Sequence, residues 1–255
     1  MPAYRQESLS FARRMVIASA SVTRTQSSFH SLATADITRI RQQIKLHREK
    51  TGERLSLTAY LVNCLARTVA RHPACNSFRR GRRIIYLDDV TVNVLVERDY
   101  GAERAPEPLA IRQAQAKSYY DIHQEVRAAQ AQQREQMESP PGFRWLRWIP
   151  IWLLRLFVRW ANRNIGFAQR YGKVAVTAVG MHAREGIWFI PHGTATVLVT
   201  VGSISEQAVL INGEWDRHEQ LHLTVSFDHD LIDGAPAARF LADFLSVLEA
   251  GAEDL

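Results

Sequence analysis

The sequence is poor in cysteine and contains no long apolar run. Its 255 residues include two cysteines, Cys64 and Cys75, which are too few for a disulfide framework and form no C-x-x-C pair. Residues 1–28 lack the continuous apolar core of a signal peptide, and no stretch reaches the roughly 20 uninterrupted apolar residues of a membrane-spanning helix. These absences favour a reduced, cytoplasmic protein that does not cross a membrane.

The residues that are present suit a globular protein with a sizeable core and an anionic partner. Hydrophobic residues make up 46% of the chain and charged residues 23%, which predicts one large or two small domains. The formal net charge is +6, and much of the arginine lies in residues 79–83 and 144–170. This excess suits a nucleotide-bearing cofactor, an acidic lipid surface or nucleic acid, and charge alone does not choose among them.

The order of predicted elements indicates an α+β protein. A strand over residues 28–35 follows a short first helix, and two helices over 37–50 and 57–72 come next. The pattern then predicts a hairpin from strands at 82–86 and 90–96, a long helix over 109–136, a run of strands between 174 and 227, and a closing helix over 235–248. This order predicts a mixed or largely antiparallel sheet, and the lack of a linker predicts a single domain over residues 1–255.

The stretch SFDHDLIDGAPAARF places a histidine at the end of an apolar strand. Alternating apolar residues lead to His229, and Gly234 then permits a sharp turn into the closing helix. A rigid frame that holds one imidazole suits a general base. Two alternatives stay open: a structural strand-end histidine bonded to Asp233, or a metal site that also uses Asp228 and Asp230.

Four stretches resemble the acyltransferase component of 2-oxo acid dehydrogenase complexes, whose fold is that of chloramphenicol acetyltransferase. LTVSFDHDLIDGAPAARFLADF is similar to the family signature H-x-x-x-D-G, matched by His229, Asp233 and Gly234. GKVAVTAVGM resembles the strand that carries the family's catalytic serine; the serine position is Thr177, and 229 − 177 = 52 residues separate it from His229. RLSLTAYLVNCLARTVARHPACNSF and ARRMVIASA resemble two helices nearer the N-terminus, in the same order.

The resemblance implies a chloramphenicol acetyltransferase-like two-layer sandwich, with a mixed, largely antiparallel sheet flanked by helices. It also implies direct acyl transfer, in which His229 takes a proton from the attacking thiol, hydroxyl or amine and Thr177 donates a hydrogen bond to the oxyanion. Asp233 is expected to orient the site by pairing with Arg13, or else with Arg14, and Gly234 to support the turn. In the family, the active site forms between subunits of a homotrimer.

The sequence departs from the family pattern in three places, the first of which concerns catalysis and the other two the substrates. Threonine replaces serine at Thr177, Asp230 stands where the complex-forming enzymes usually carry arginine, and residues 98–112 follow the family loop only loosely. The sequence shows no lipoyl domain, no subunit-binding domain and no linker between them. We therefore expect coenzyme A thioester as the donor, with no bound cofactor and no metal. A non-catalytic scaffold or binding protein that keeps the fold is the alternative.

An insert at residues 143–170 holds four of the six tryptophans. Arg155, Arg159 and Arg163 lie four residues apart, and aromatic and aliphatic residues take most of the other positions. This composition is typical of a helix that lies in a membrane interface, which would favour a lipid-like acceptor and a peripheral contact with the inner face of the membrane. A packed amphipathic helix is the equal alternative. The arginines at 79–83 lack an aromatic platform, so no nucleic-acid partner is expected.

Overall fold

The structure is a computed structural model that describes residues 4–6, 8–99, 104–135, 149–180, 186–211 and 213–253. Its helices are α1 (Phe11–Thr23), α2 (Thr38–Thr51), α3 (Leu57–Arg71), α4 (Tyr119–Glu135), α5 (Ile151–Arg163), α6 (Ile165–Tyr171) and α7 (Gly234–Glu249). Its strands are β1 (Ser28–Asp36), β2 (Ser77–Arg80), β3 (Arg83–Tyr86), β4 (Val92–Asp99), β5 (Arg104–Ile111), β6 (Val174–Ala178), β7 (Val197–Ile211) and β8 (Glu214–Asp228).

The main sheet is mixed, as the sequence predicted. In the described part of the chain it has six strands in the order β1-β8-β7-β6-β4-β5. The pairs β1–β8, β8–β7 and β4–β5 are antiparallel, whereas β7–β6 and β6–β4 are parallel. A separate ribbon of β2 and β3 lies beside it. The predicted α+β class is therefore confirmed.

Helices cover one face of this sheet and form the core with it. Along β8 the side chains of Leu221, Leu223, Val225 and Phe227 are fully buried on this face, because alternate residues of a strand point to the same side. Helix α3 is buried along most of its length, and Ser56 caps it by accepting a hydrogen bond from the Ala59 N–H. Helix α7 packs against α3, and its Phe240 and Phe244 are fully buried.

The predicted hairpin of residues 82–86 and 90–96 is wrong. The mostly exposed strand β3 pairs with β2 instead, in a two-stranded ribbon. The valines of β4, Val92 and Val94, are buried, because β4 lies inside the main sheet between β5 and β6. A hydrophobic run that follows a turn signal looks the same in a hairpin and in a parallel interior strand, so the pattern could not separate the two.

The predicted helix over residues 109–136 is too long at its N-terminus. Residues through Ile111 form β5, and the helix begins at Tyr119. Strand β5 contains Pro106 and Pro108 and lies at the sheet edge, where proline is tolerated because one side of the strand needs no hydrogen-bond donors. The remainder of this predicted helix beyond residue 135 and the first part of the insert lie outside the described residues.

A glycine sets the entry into β6, the strand that carries Thr177. Gly172 has a positive φ of 73° that other residues adopt with strain. A Cβ atom on it would also lie 1.9 Å from the Thr91 carbonyl oxygen. Glycine at this position therefore lets the chain leave α6 and enter the sheet directly beside β4.

Candidate active site

The structure holds His229 at the rim of the sheet, immediately after the end of β8. The His229 N–H donates a hydrogen bond of 2.7 Å to the Ser27 carbonyl oxygen, at the start of β1. Its imidazole lies edge-on to Phe29, with ring centroids 5.1 Å apart. The side chain is 54% exposed, so a substrate or a second protomer can reach it.

The turn after His229 is organised by the residue before it. One carboxylate oxygen of Asp228 accepts a 2.7 Å hydrogen bond from the Gln26 side-chain amide, and the other accepts from the Asp230 N–H at 3.1 Å. The Asp228 carbonyl accepts from the N–H groups of Leu231 and Ile232. Burial is the main cause that raises the pKa of Asp228 above its usual value. These bonds fix the backbone on both sides of the imidazole.

Asp233 lies near His229 but does not form a hydrogen bond with it. The distance from His229 Nδ1 to Asp233 Oδ1 is 3.6 Å, which is too long for a hydrogen bond. Both side chains are exposed, and Asp233 occupies the N-cap position of α7. The neighbouring Asp230 forms an ion pair with Arg79 of β2 at 2.8 Å, which ties the arginine-rich ribbon to the same turn.

Thr177 lies near the C-terminal end of β6, on the sheet face opposite the helical core. Val174 and Val176 are fully buried in the core, so the alternation of the strand directs Thr177 to the other side, where it is half-buried. The chain after it passes very close to β7. A Cβ atom on Gly180 would lie 2.4 Å from the Gly202 carbonyl carbon. Only glycine therefore fits at this position, three residues after Thr177, without displacing β7.

The strand register separates Thr177 from His229 within one chain. Thr177 pairs with Thr200 on β7, and Thr200 pairs with Thr224 on β8. Because β8 is antiparallel to β7, it runs from Thr224 away from the end of β6 that carries Thr177. His229 follows Thr224 by 229 − 224 = 5 residues, so the two sites lie about 17 Å apart along the strands and about 10 Å across them, or about 20 Å in all. The two side chains do not meet in one protomer.

The predicted partner of Asp233 is not brought to it in the single chain. Within the described residues, Arg13 forms no ion pair with Asp233, and its side chain is exposed on α1. The alternative, Arg14, donates a hydrogen bond to the Ile149 carbonyl oxygen just before α5. Among the residues that the structure describes, no three histidine, cysteine, aspartate or glutamate side chains group as a metal site requires.

Sequence reasoning missed polar residues that neighbour the two sites. Beside Thr177, the hydroxyls of Thr200 and Thr224 are buried and lack a hydrogen-bond partner in the described part of the chain. At the His229 end, Lys173 is buried, donates a 2.9 Å hydrogen bond to the Asn162 carbonyl, and lies 5.1 Å from the centre of the Phe78 ring. Burial lowers its pKa to about 8. The strand alternation of β7 could have identified Thr200, but no sequence signal marked Lys173.

Three solved structures with a similar fold are named as acetyltransferases. A probable dihydrolipoamide acetyltransferase from Listeria monocytogenes superposes with a TM-score of 0.74 at 16% identity, covering 98% of this chain and 97% of its own. The dihydrolipoamide acetyltransferase of Azotobacter vinelandii gives 0.72 at 18% identity, covering 97% and 92%. Chloramphenicol acetyltransferase gives 0.50 at 11% identity, covering 96% and 99%. The prediction of a chloramphenicol acetyltransferase-like fold is therefore confirmed, and the chain is a protein of this fold class.

The chain belongs to the family of the 2-oxoacid dehydrogenases acyltransferase (catalytic domain), whose model matches residues 5–143 and 170–254. The match leaves out residues 144–169, which are most of the insert. A curated relative, the dihydrolipoyllysine-residue acetyltransferase component of the pyruvate dehydrogenase complex from Rickettsia bellii, is 23% identical over 214 residues. The alignment covers 84% of this chain and 44% of that protein, so the chain spans about half the length of the curated relatives it matches.

Proposed function

We propose that this chain transfers an acyl group from a coenzyme A thioester directly to a thiol, hydroxyl or amine acceptor. The observation that carries the proposal is the placement of one rigidly held imidazole and one hydroxyl at the two accessible ends of a single sheet. His229 is held by the bond to Ser27 and by Phe29, and Thr177 is held by the pairing of β6 with β4 and β7.

In the proposed acyl transfer, His229 and Thr177 each have one role. Nε2 of His229 takes the proton of the acceptor's nucleophile, which attacks the thioester carbonyl carbon. The Thr177 hydroxyl donates a hydrogen bond to the resulting oxyanion, and one such donor is worth roughly 3 kcal/mol in a site that excludes water. As the carbon–sulfur bond breaks, the imidazolium returns its proton to the leaving thiolate. Asp233, 3.6 Å from Nδ1, stabilises the imidazolium by charge.

The spacing of these residues supports the assignment. The name of the Azotobacter structure cites a serine, a histidine and an asparagine in its catalytic mechanism, with 52 positions between the serine and the histidine and four between the histidine and the asparagine. Thr177, His229 and Asp233 have the same two separations. Threonine keeps the hydroxyl that the role needs, while its β-methyl restricts the rotamer.

The site requires two protomers. Because about 20 Å separates Thr177 from His229 in one chain, the His229 end of one protomer must face the Thr177 end of another. A cyclic homotrimer supplies three equivalent interfaces of this kind. The exposed side chains of His229 and Asp233 are part of the surface that such an interface would cover.

The donor in this proposal is free acyl-CoA in the cytoplasm, and the acceptor is small or lipid-like. The formal net charge of +6 suits the phosphates of coenzyme A. Both cysteines are free and buried. A screen of acyl-CoAs of graded chain length against thiol, amine and alcohol acceptors tests it by measuring the release of free coenzyme A.

The decisive variant for this proposal is His229→Ala. We expect it to abolish acyl transfer while the oligomer measured by light scattering stays intact, because the imidazole is half-exposed and is not one of the buried core side chains. His72→Ala is the matched control, since His72 also lies beside a carboxylate but directly follows α3 and contacts α7. If the wild type turns over no donor with any acceptor, the scaffold function replaces the catalytic one.

A second part of the proposal concerns α5, which presents an apolar face to solvent. Trp152, Leu156 and Trp160 are more than half exposed on α5, while Leu154 alone is fully buried there. Arg155, Arg159 and Arg163 flank this face, and residues 143–170 contain no acidic residue. No described helix is long and apolar enough to cross a bilayer. We propose that this face rests on an anionic lipid surface, since arginine binds phosphate headgroups and tryptophan prefers the interface.

Vesicle flotation tests this contact. We expect the wild type to float with vesicles that contain phosphatidylglycerol and to bind them less in high salt. It should not bind vesicles of pure phosphatidylcholine. The double variant Trp152→Ser with Trp160→Ser should lose binding. Trp215→Ser, which changes a still more exposed tryptophan near the tip of the β7–β8 ribbon, should keep it. A wild type that never floats, or a double variant that changes only the oligomer mass, would assign the face to a subunit contact instead.

A further inference from the structure

A cavity of about 320 Å³ lies beside the strand end that carries His229. The C-terminal end of α1, the first half of β1, the last residues of β8 and the segment 191–195 form its walls. Its polar lining includes Arg24, Gln26, His30, His192 and Ser226. Its volume is at the lower end of the range for small-molecule sites, so it can hold a small molecule or one end of a larger one.

The side chains that line the cavity include basic groups and no acidic group. Arg24 is cationic, two imidazoles face the same space, and no carboxylate is among the lining residues. His30 Nδ1 is 2.8 Å from the Ser226 hydroxyl, and no described residue bonds its Nε2. Burial, and then the nearby His192, lower the pKa of His30 below its usual value. An anion placed between these groups would relieve that repulsion and hydrogen-bond to all of them.

The cavity is joined to the proposed base by direct contacts. Gln26 lines the cavity and also donates the 2.7 Å hydrogen bond to Asp228, the residue before His229. Phe227 lines it as well and stacks on Phe29 at 5.4 Å, and Phe29 touches the His229 imidazole at 5.1 Å. The cavity lining is therefore linked to the His229 imidazole through one intervening side chain, Phe29.

We propose that this cavity binds an anionic group, a carboxylate or a phosphate, on the acyl acceptor. The inference rests on the proposed acyl transfer, because a general base must lie within hydrogen-bond reach of the acceptor's nucleophile. Arg24, His30 and His192 supply the hydrogen-bond donors, and the anionic group orients the acceptor so that its nucleophile points to His229. The preferred acceptors are then small molecules with a nucleophile at one end and an anion at the other.

Binding is measured without turnover by following the imidazole proton resonances of the full chain. Succinate and inorganic phosphate are the two probes. Each should shift the His30 and His192 signals saturably, move the protonation midpoint of His30 upward, and bind more tightly at pH 6 than at pH 8. Arg24→Gln should weaken binding about tenfold or more, because it removes a charge-assisted hydrogen bond. Arg217→Gln, on the exposed β7–β8 ribbon, is the matched control and should leave binding unchanged.

The kinetic counterpart compares an acceptor that carries a carboxylate with its amide analogue. Arg24→Gln should raise KM for the carboxylate about tenfold with little effect on the amide. Absence of saturable shifts, or equal loss in Arg217→Gln, overturns the proposal. Competition by coenzyme A for the phosphate-induced shifts assigns the cavity to the donor and also overturns it. His229→Ala should keep anion binding while losing transfer, so the cavity and the acyl transfer can fail separately.

Discussion

The opposite positions of Thr177 and His229 predict that two inactive variants restore activity to each other in mixed oligomers. Thr177→Ala removes the oxyanion donor and His229→Ala removes the base, so each homo-oligomer lacks one half of every site. Because about 20 Å separates the two residues in one chain, a site between protomers takes its base from one subunit and its hydroxyl from the next. A mixed interface can therefore hold one intact copy of each residue.

The size of the recovery follows from counting interfaces. In trimers formed at random from equal amounts of the two variants, a site is intact when its base comes from a Thr177→Ala protomer and its hydroxyl from a His229→Ala protomer. Each choice has a probability of one half, so about one quarter of all sites are intact in the random mixture. The homotrimers have no intact site, and every mixed trimer has one intact interface of three, so the purified mixed trimers should show about one third of the wild-type activity. Mixing wild type with His229→Ala should give about half of the wild-type activity, which is the control for exchange without complementation.

Co-expression of the two variants with different affinity tags, followed by two-step purification, isolates the mixed oligomers. The assay is the rate at which free coenzyme A thiol is released from an acyl-CoA, at the acceptor concentration that saturates the wild type. Mixed oligomers as inactive as the two parents, under conditions in which the wild type turns over, would refute an active site shared between protomers.

Substitutions at three further positions test the roles of single residues. Thr177→Val should lower kcat by about 10²- to 10³-fold, as loss of one oxyanion donor does, whereas Thr177→Ser should keep most of the activity; a fully active valine variant would remove the hydroxyl from the mechanism. Gly172→Ala should lower the free energy of unfolding by more than about 2 kcal/mol, measured by urea denaturation, because the positive φ and the Thr91 carbonyl both oppose a Cβ atom. Burial lowers the pKa of Lys173 from 10.5 to about 8, so the unfolded chain binds more protons between these pH values and stability rises with pH across that window. Relative to Lys173→Met, the wild type should therefore gain about 3 kcal/mol between pH 8 and pH 10.5, and parallel pH profiles would contradict the charge assignment.

The difference between the wild type and Lys173→Met matters more than either pH profile. Burial raises the pKa of both cysteines to about 12, which opposes folding at high pH in both proteins. Taking the difference cancels that effect and leaves the lysine. The hydrogen bond to Asn162 shifts the difference by a constant and leaves its slope unchanged as long as the ammonium or amine still donates.

Local sequence signals predicted the elements whose neighbours in space are also neighbours in sequence. The helix α3 could be read from its 3.6-residue apolar period, the Ser56 cap and the following proline, and the structure has all three. The end of β8 could be read from alternation that stops at His229. By contrast, the insertion of β4 between β5 and β6 depends on residues about 80 positions away, and no local pattern contains them.

The sequence by itself determined the family, the mixed α+β character and the identity of the candidate groups, because His229, Thr177 and Asp233 are recognisable by type and spacing alone. Only the tertiary structure decided where those groups lie. The register of β6, β7 and β8 places the imidazole and the hydroxyl at opposite ends of one sheet, and the pairing of strands far apart in sequence sets that register. Packing of α1 and the segment 191–195 against β1 likewise created the cationic cavity beside His229, since its walls come from three separate stretches of chain, residues 23–30, 191–198 and 226–227.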